Sequence, residues 1–341
     1  MNENSNQRNT TLDLLKGIAC IGVVFIHVPF PGIFGIAVTA VSRMFVALFF
    51  IISGYYLWVG DEKKTLDKLP KKIKRTLKLT ATSFLVYFLW ESFVRLKGGG
   101  YQKVIRWYAD DVFSIKTVIG TLFFSYDSIV GHLWFLLALL GGYILFYYML
   151  KSHIRLNWIS AILILEIHII LMSISHIYDL GWNMAFFRNV WFYGMPFLII
   201  GYSIRLYEIK LLSYLTRVRL IAMFLLGLFM ILCERFVIGN LQIFNGSIIA
   251  IFAMVMLALK YPDLSPKNGL AVIGNKYSTD IYIYHWIILE IVIKSKKILQ
   301  IECIEFEWLE PVIVLGITLI LAWGLKHFYL VSHIVRRKKS V

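Results

Sequence analysis

The chain has 341 residues, 59% of them hydrophobic and 16% charged, with a formal net charge of +15. Apolar runs of roughly 20 residues recur along its whole length, which excludes a soluble globular enzyme and predicts an all-α, polytopic integral membrane protein. The basic excess does not point to nucleic acid, because lysine and arginine gather in alternate connecting segments, as the positive-inside rule describes.

The polar stretch 1–11 lacks a cleavage-site pattern, so the first apolar segment reads as a retained span rather than a signal peptide. Ten spans are predicted, near 12–28, 36–58, 77–95, 132–150, 157–176, 189–207, 219–237, 243–259, 271–293 and 310–332. They are expected to pack as one bundle of about ten transmembrane helices, a single membrane domain over 1–341 with short tails at 1–11 and 333–341. An inner N-terminus puts the larger share of lysine and arginine on the inner side, so both tails are expected in the cytoplasm of a cell-membrane protein.

Span one runs from Asp13-Leu-Leu-Lys16-Gly to His27. Lys16 and His27 lie eleven residues apart, about three turns, and so share one helix face with an axial separation of roughly 16 Å. Polar groups aligned on a membrane helix need protein or water opposite them. Taken singly, Lys16 reads equally well as an inner-edge anchor and His27 as an interfacial histidine. Span two carries Arg43 about two turns deep, where a charge costs on the order of 2.5–3.5 kcal/mol unless it faces the bundle interior. Ser53-Gly54 further along permits close helix approach.

The inner loop 61–78 holds Lys63, Lys64, Lys68, Lys71, Lys72, Lys74 and Arg75, a topology determinant that attracts anionic lipid or docks a phosphate-bearing ligand. The outer loop 96–130 opens with Gly98-Gly-Gly100 and carries Tyr101, Trp107, Tyr108, Asp110 and Asp111, which suit carbohydrate or an interfacial belt. His132 and Trp134 stand at the outer edge of span four, Trp134 again suiting a belt as well as a ligand. Glu166 and His168 point to different faces of span five, with Glu166 a candidate partner for a buried cation such as Arg43; His176 closes that span. Pro196 should kink span six. On span nine, Tyr282 and His285 share a face, and a satisfied core histidine is the competing account of His285. The outer segment 294–310 ends acidic (Glu302, Glu305, Glu307, Glu310), and Arg336–Lys339 reads as a cytoplasmic anchor. Cys20, Cys233 and Cys303 have no metal-like spacing and read as packed thiols. No nucleotide-phosphate glycine loop, metal-ligand helix motif or Gly-x-Ser-x-Gly elbow occurs.

These residues, in this order, resemble the integral-membrane acyltransferase 3 family over nearly the whole chain. The resemblance rests on Asp13-Leu-Leu-Lys16-Gly with His27, Phe49-Phe50-Ile-Ile-Ser53-Gly54-Tyr55, His132-Leu-Trp134-Phe135, Pro196-Phe-Leu-Ile-Ile-Gly201-Tyr202 and Ile283-Tyr284-His285. The family's first-helix signature is an arginine and a histidine flanking ten residues; here Lys16 takes the arginine position, keeping the charge but losing the bidentate grip. The family's inner Arg-x-x-Arg is matched only by Lys72-x-x-Arg75.

The resemblance implies an acyltransferase, of groups other than amino-acyl groups, that moves an acetyl group from cytoplasmic acetyl-CoA to a hydroxyl of a cell-envelope glycan or lipid-linked sugar. Expected catalytic residues are His27, Lys16, Arg43 and His285, with His27 as general base and a buried cation such as Arg43 on the oxyanion. Lys71, Lys72, Lys74 and Arg75 are expected to hold the donor, and His132, Trp134 and Tyr284 the acceptor, with no metal and no nucleic acid. The rival from another class is a transporter of a small polar solute such as an amino acid, to which Pro196 and Gly141-Gly142 lend slight support. A degenerate member serving as a structural partner is the third reading.

Overall fold

The computed structural model describes residues 8–154, 157–264, 268–301 and 303–338. The expected roles of residues 1–7, Glu302 and the Arg336–Lys339 side chains lie outside the described part. Helices follow one another as α1 (Thr10–His27), α2 (Gly32–Ser42), α3 (Met44–Tyr55), α4 (Glu62–Trp107), α5 (Ile115–Phe124), α6 (Trp134–Lys151), α7 (Trp158–Ile177) and α8 (Met184–Phe187). Then come α9 (Met195–Leu206), α10 (Glu208–Tyr214), α11 (Arg217–Val237), α12 (Asn245–Lys260), α13 (Gly269–Val272), α14 (Ser278–Ile298) and α15 (Ile304–Lys338). Three π-helical turns interrupt the series, at Tyr108–Val112, Val190–Gly194 and Ile273–Tyr277, and no strand occurs among the described residues. Helices suit a hydrocarbon environment, because each satisfies its backbone N–H groups within its own segment.

A helix occupies each of the ten expected span positions, but among the described residues six are long and apolar enough to cross a membrane: α1, Gly32–Tyr55, α6, α7, α11 and Ile304–Phe328. The other four fall short for visible reasons. The basic run that reads as a loop in the sequence is helical and forms the opening turns of α4, which spreads charge along a 46-residue helix. The segment Val190–Leu206 begins as a π-turn, α12 has only 16 residues, and α14 ends in Lys294, Lys296 and Lys297. Pro196 does not kink a continuous helix either: it lies at the start of α9, after the π-turn, where its missing N–H costs nothing.

The expected outer loop is likewise mostly helical. α4 continues past the glycines with a single break at Gly100, whose φ of 69° reverses the chain, so residues 101–108 fold back along 88–95. Arg95 then lies over the Trp107 ring at 4.1 Å while paired with Glu91, and Phe88 stacks on Tyr108 at 5.0 Å.

The chain divides into two compact units, one comprising Met1–Val46, Arg217–Arg235 and Gly246–Val341, the other Ala47–Thr216 and Phe236–Asn245. In the first, α1 crosses the α13–π-turn segment with backbone in contact: a Cβ on Gly17 would fall 2.0 Å from the Leu270 carbonyl oxygen, and one on Gly274 2.0 Å from that of Asp13. The start of α1 is tied down by Thr11, whose N–H and hydroxyl donate to the Pro262 and Tyr261 carbonyls at 3.0 and 2.5 Å. In the second unit α3 and α9 cross in the same reciprocal manner, with a Gly54 Cβ placed 2.1 Å from the Leu198 oxygen and a Gly201 Cβ 2.0 Å from that of Ile51. Both glycines belong to motifs singled out in the sequence, and close packing is what they supply.

Of the three cysteines expected to pack as thiols, Cys20 is buried, whereas Cys233 and Cys303 are exposed.

Gly54→Ala should force α3 and α9 apart and lower the thermal midpoint of the detergent-solubilised protein, an overpacking cost of about 1–3 kcal/mol. Gly316→Ala in α15, where nothing stands within 4 Å of the new methyl, should leave it unchanged or raised. A size-exclusion thermostability series on both variants measures the contrast.

Candidate functional site

In the first unit the last residue of α1 meets α14. The His27 ring lies 5.2 Å from His285 and 5.3 Å from the Trp286 indole, centroid to centroid. His285 is wholly buried and its Nδ1–H donates to the Ile281 carbonyl at 3.0 Å; a carbonyl only accepts, so the neutral ring keeps its lone pair on Nε2. His27 is half-buried, which leaves it reachable, and it stands at the helix C-terminus, where the dipole favours a developing imidazolium. Trp286 is fixed by its indole N–H donating to Glu290 at 2.9 Å. Tyr282 reaches the same cluster, 6.3 Å from His285. Tyr284 is turned about 100° from His285 by the helix period and lies one turn beyond Asp280, which faces Lys326 at 3.9 Å.

Lys16 sits on the same helix as His27 but is held by Asp13, at 2.6 Å, which also binds Arg8. The carboxylate thus gathers two cations at the start of α1, and Cys20 is buried one turn beyond Lys16. Arg43 lies in the short break between α2 and α3, its backbone N–H donating to Thr39 at 3.1 Å and its side chain 6% exposed.

In the second unit the basic run divides by helix face. Lys68, Lys72 and Arg75 follow at i, i+4 and i+7 and share a stripe, whereas Lys74 is turned away and Lys71 stands at the stripe's edge. Lys72 alone of the four expected donor ligands is half-buried, with Nζ 5.9 Å from the Tyr143 ring. Its burial, and then the charges of Lys68 and Arg75, bring its pKa down to about 8. Tyr143 in turn hydrogen-bonds Ser53 of the Ser53-Gly54 motif. Nothing in the sequence marks Tyr143, an aromatic inside an apolar run.

His132 and Trp134 do not form an open acceptor surface. His132 is buried edge-on against Tyr87 at 4.9 Å, and Trp134 packs against Tyr193 at 5.5 Å and Phe50 at 6.4 Å. Asp127 positions this pair: its carboxylate accepts from the N–H groups of Ile129, Val130 and Leu133 at 3.0, 3.3 and 2.8 Å, capping the approach to α6. Burial raises its pKa despite those three donors. The signal for Asp127, an acidic residue a few positions ahead of an apolar helix, is present in the sequence but common.

Glu166 has a partner within its own unit, the Asn245 amide, which donates to both carboxylate oxygens at 2.9 and 3.3 Å. His168 is buried, stacked on Phe187 at 5.6 Å, with Nδ1–H donating to Phe192 at 3.1 Å. Among the described residues no group of three or more His, Cys, Asp or Glu is arranged to hold a metal ion.

The apolar helices thus carry two imidazoles beside an indole and, on another helix, a basic stripe, which is the arrangement of a helical membrane protein. The family model described as an acyltransferase domain matches residues 9–327. That is nearly the whole chain, and the protein belongs to the acyltransferase 3 family. Searches of curated proteins and of solved structures return no match.

Asp127→Asn replaces an acceptor by a group that turns an N–H towards backbone donors, leaving one of them unsatisfied. It should cost about 1–3 kcal/mol of stability, read as a lowered thermal midpoint of the detergent-solubilised protein.

Proposed function

We propose that this acyltransferase moves an acetyl group from acetyl-CoA on the cytoplasmic side to a hydroxyl of an outward-facing cell-envelope glycan or lipid-linked sugar. The observation that carries the proposal, beside the family, is the His27–His285 contact at the C-terminus of α1. In this reading the chain spans the membrane at all ten helical positions, with both termini in the cytoplasm.

His27 takes the proton of the acceptor hydroxyl as general base. The oxygen attacks the thioester carbonyl, a C–O bond forms, the C–S bond breaks, and the coenzyme A thiolate leaves and recovers the proton. His285, held as a neutral donor to Ile281, orients the His27 ring, so it is a positioning residue. Arg43 supplies positive charge for the oxyanion. Lys72 and Arg75, with Lys68 beside them, meet the phosphates of the donor, while Lys16 and Asp13 fix the inner end of α1. Lys71 and Lys74 contribute general attraction. His132 and Trp134 are packed within the second unit, and Tyr284 offers a hydroxyl to the acceptor.

His27→Ala should abolish transfer, a loss of at least about 100-fold, at unchanged membrane expression. Mass spectrometry of envelope fractions from cells with the native protein, without it and with His27→Ala reads it: one acetyl group lost in both deficient strains supports the reaction. Unchanged acetylation in all three sinks it and shifts attention to solute uptake.

The donor should also bind in a pH-dependent way. With its pKa down at about 8, Lys72 is an ammonium below that pH and a neutral amine above it, so apparent donor KM should rise between pH 7 and pH 9. Lys72→Arg, charged throughout, should remove the rise.

A further inference from the structure

We infer that the bowl between the π-turn Tyr108–Val112 and α5 binds the saccharide head group of a membrane-anchored glycolipid whose acyl chains lie along the outer face of α5. The inference rests on the acyl-acceptor reading, which it deepens by naming where the acceptor is held and what it is attached to.

The first observation is a cavity. A bowl of about 570 Å³, within the usual ~300–1,000 Å³ range of small-molecule sites, is lined by Asp110, Asp111, Lys116, Tyr126, Asn183 and Phe186, among others. All belong to the second unit. The carboxylates accept from vicinal hydroxyls, the Asn183 amide both donates and accepts, and the aromatic rings offer flat apolar faces. Two carboxylates against one lysine disfavour a phosphate and suit an uncharged polyol. The two aspartates are adjacent in sequence, and the π-turn that carries them is an uncommon element.

The second observation is the orientation of α5, which is apolar on the side away from the protein. Ile115, Val118, Ile119, Leu122 and Phe123, spaced i, i+3, i+4, i+7 and i+8, are all exposed, Ile115 by 80% and Leu122 by 73%. Its small and polar side is bonded inward: the Thr117 hydroxyl donates to Asp111 at 2.7 Å and that of Thr121 to Tyr126 at 2.9 Å. The Trp191 indole N–H donates to Phe123 at 2.7 Å and holds the end of the helix. At 10 residues α5 is too short to span a bilayer. Such a helix lies in the interface with its apolar stripe among acyl chains. The same exposure occurs on α7, a candidate span, at Leu163, Ile167 and Ile170. Ile119, Gly120 and Phe124 of α5 also line the bowl, so a ligand with a polar head and an apolar tail meets both surfaces at once.

The test uses the full-length protein in phosphatidylcholine nanodiscs doped with a diazirine-tailed glucosyl lipid, or with diazirine-tailed phosphatidylcholine as control. After irradiation, peptides are mapped by mass. The expected result is labelling of residues 115–124 by the glycolipid, reduced about tenfold in D110N/D111N, with the control lipid labelling weakly and equally in both proteins. Both aspartates are exposed, so the variant should fold; an unchanged thermal midpoint checks this. Equal labelling by the two lipids, or no loss in the variant, overturns the head-group assignment. Full competition by free glucose as effective as that by glycolipid overturns the anchored-acceptor part. The readout needs no turnover, so the site stands if labelling behaves as expected while no acetyl transfer is found, and in that case only the acyltransferase reading falls.

Discussion

Backbone touches backbone at the crossings on which both units are built. Gly17 and Gly274 bring α1 against the π-turn ahead of α14, and Gly54 and Gly201 bring α3 against α9, in each case with no room for a methyl group. In lipid, where apolar side chains gain little by leaving one hydrocarbon surface for another, dispersion contact between closely approaching helices takes the place of the hydrophobic effect. The first crossing sets the axial register of α1 relative to the segment that leads into α14. His27 and His285 sit further along these two helices, and their 5.2 Å separation depends on that register.

The electrostatics of α1 follow from the same placement. Asp13 gathers Arg8 and Lys16 at the start of the helix, and His27 occupies the opposite end, where the dipole complements positive charge. Lys16 is therefore engaged locally as a point charge, whereas a guanidinium at that position could grip a carboxylate with two parallel N–H groups. The basic stripe on α4 is set differently: Lys72 is partly desolvated over an aromatic ring and stands between like charges, which separates it from its exposed neighbours.

Several features that look like loops in the sequence are helical, and the reason is the same in each. The 61–78 segment is charged enough to be read as a connector, yet lysine and leucine are good helix formers and Asp61 caps the first turn by accepting from the Lys64 N–H at 2.7 Å. The three glycines at 98–100 signal a break, but only Gly100 adopts a conformation that requires one. Charge and glycine content report solvent exposure and backbone freedom; neither reports whether a neighbouring helix is available to pack on. Trp107, which looks like an interfacial residue, is 4% exposed because the fold-back gives it Phe88 and Arg95 as neighbours.

By itself the sequence determined the helical membrane class, the positions of its apolar segments, the alignment of Lys16 with His27 and the family, since each depends only on composition, local periodicity or motif order. Tertiary structure decided which polar residues meet. His285 joins His27 although 258 positions separate them in the chain, Lys72 is distinguished from Lys71 and Lys74 by the ring of Tyr143, and His132 and Trp134 are turned into the second unit's interior. It also decided that α5 faces outward with its apolar stripe beside a polar bowl. Local pattern fixes which face of a helix is apolar; only the packing of other helices fixes what that face meets.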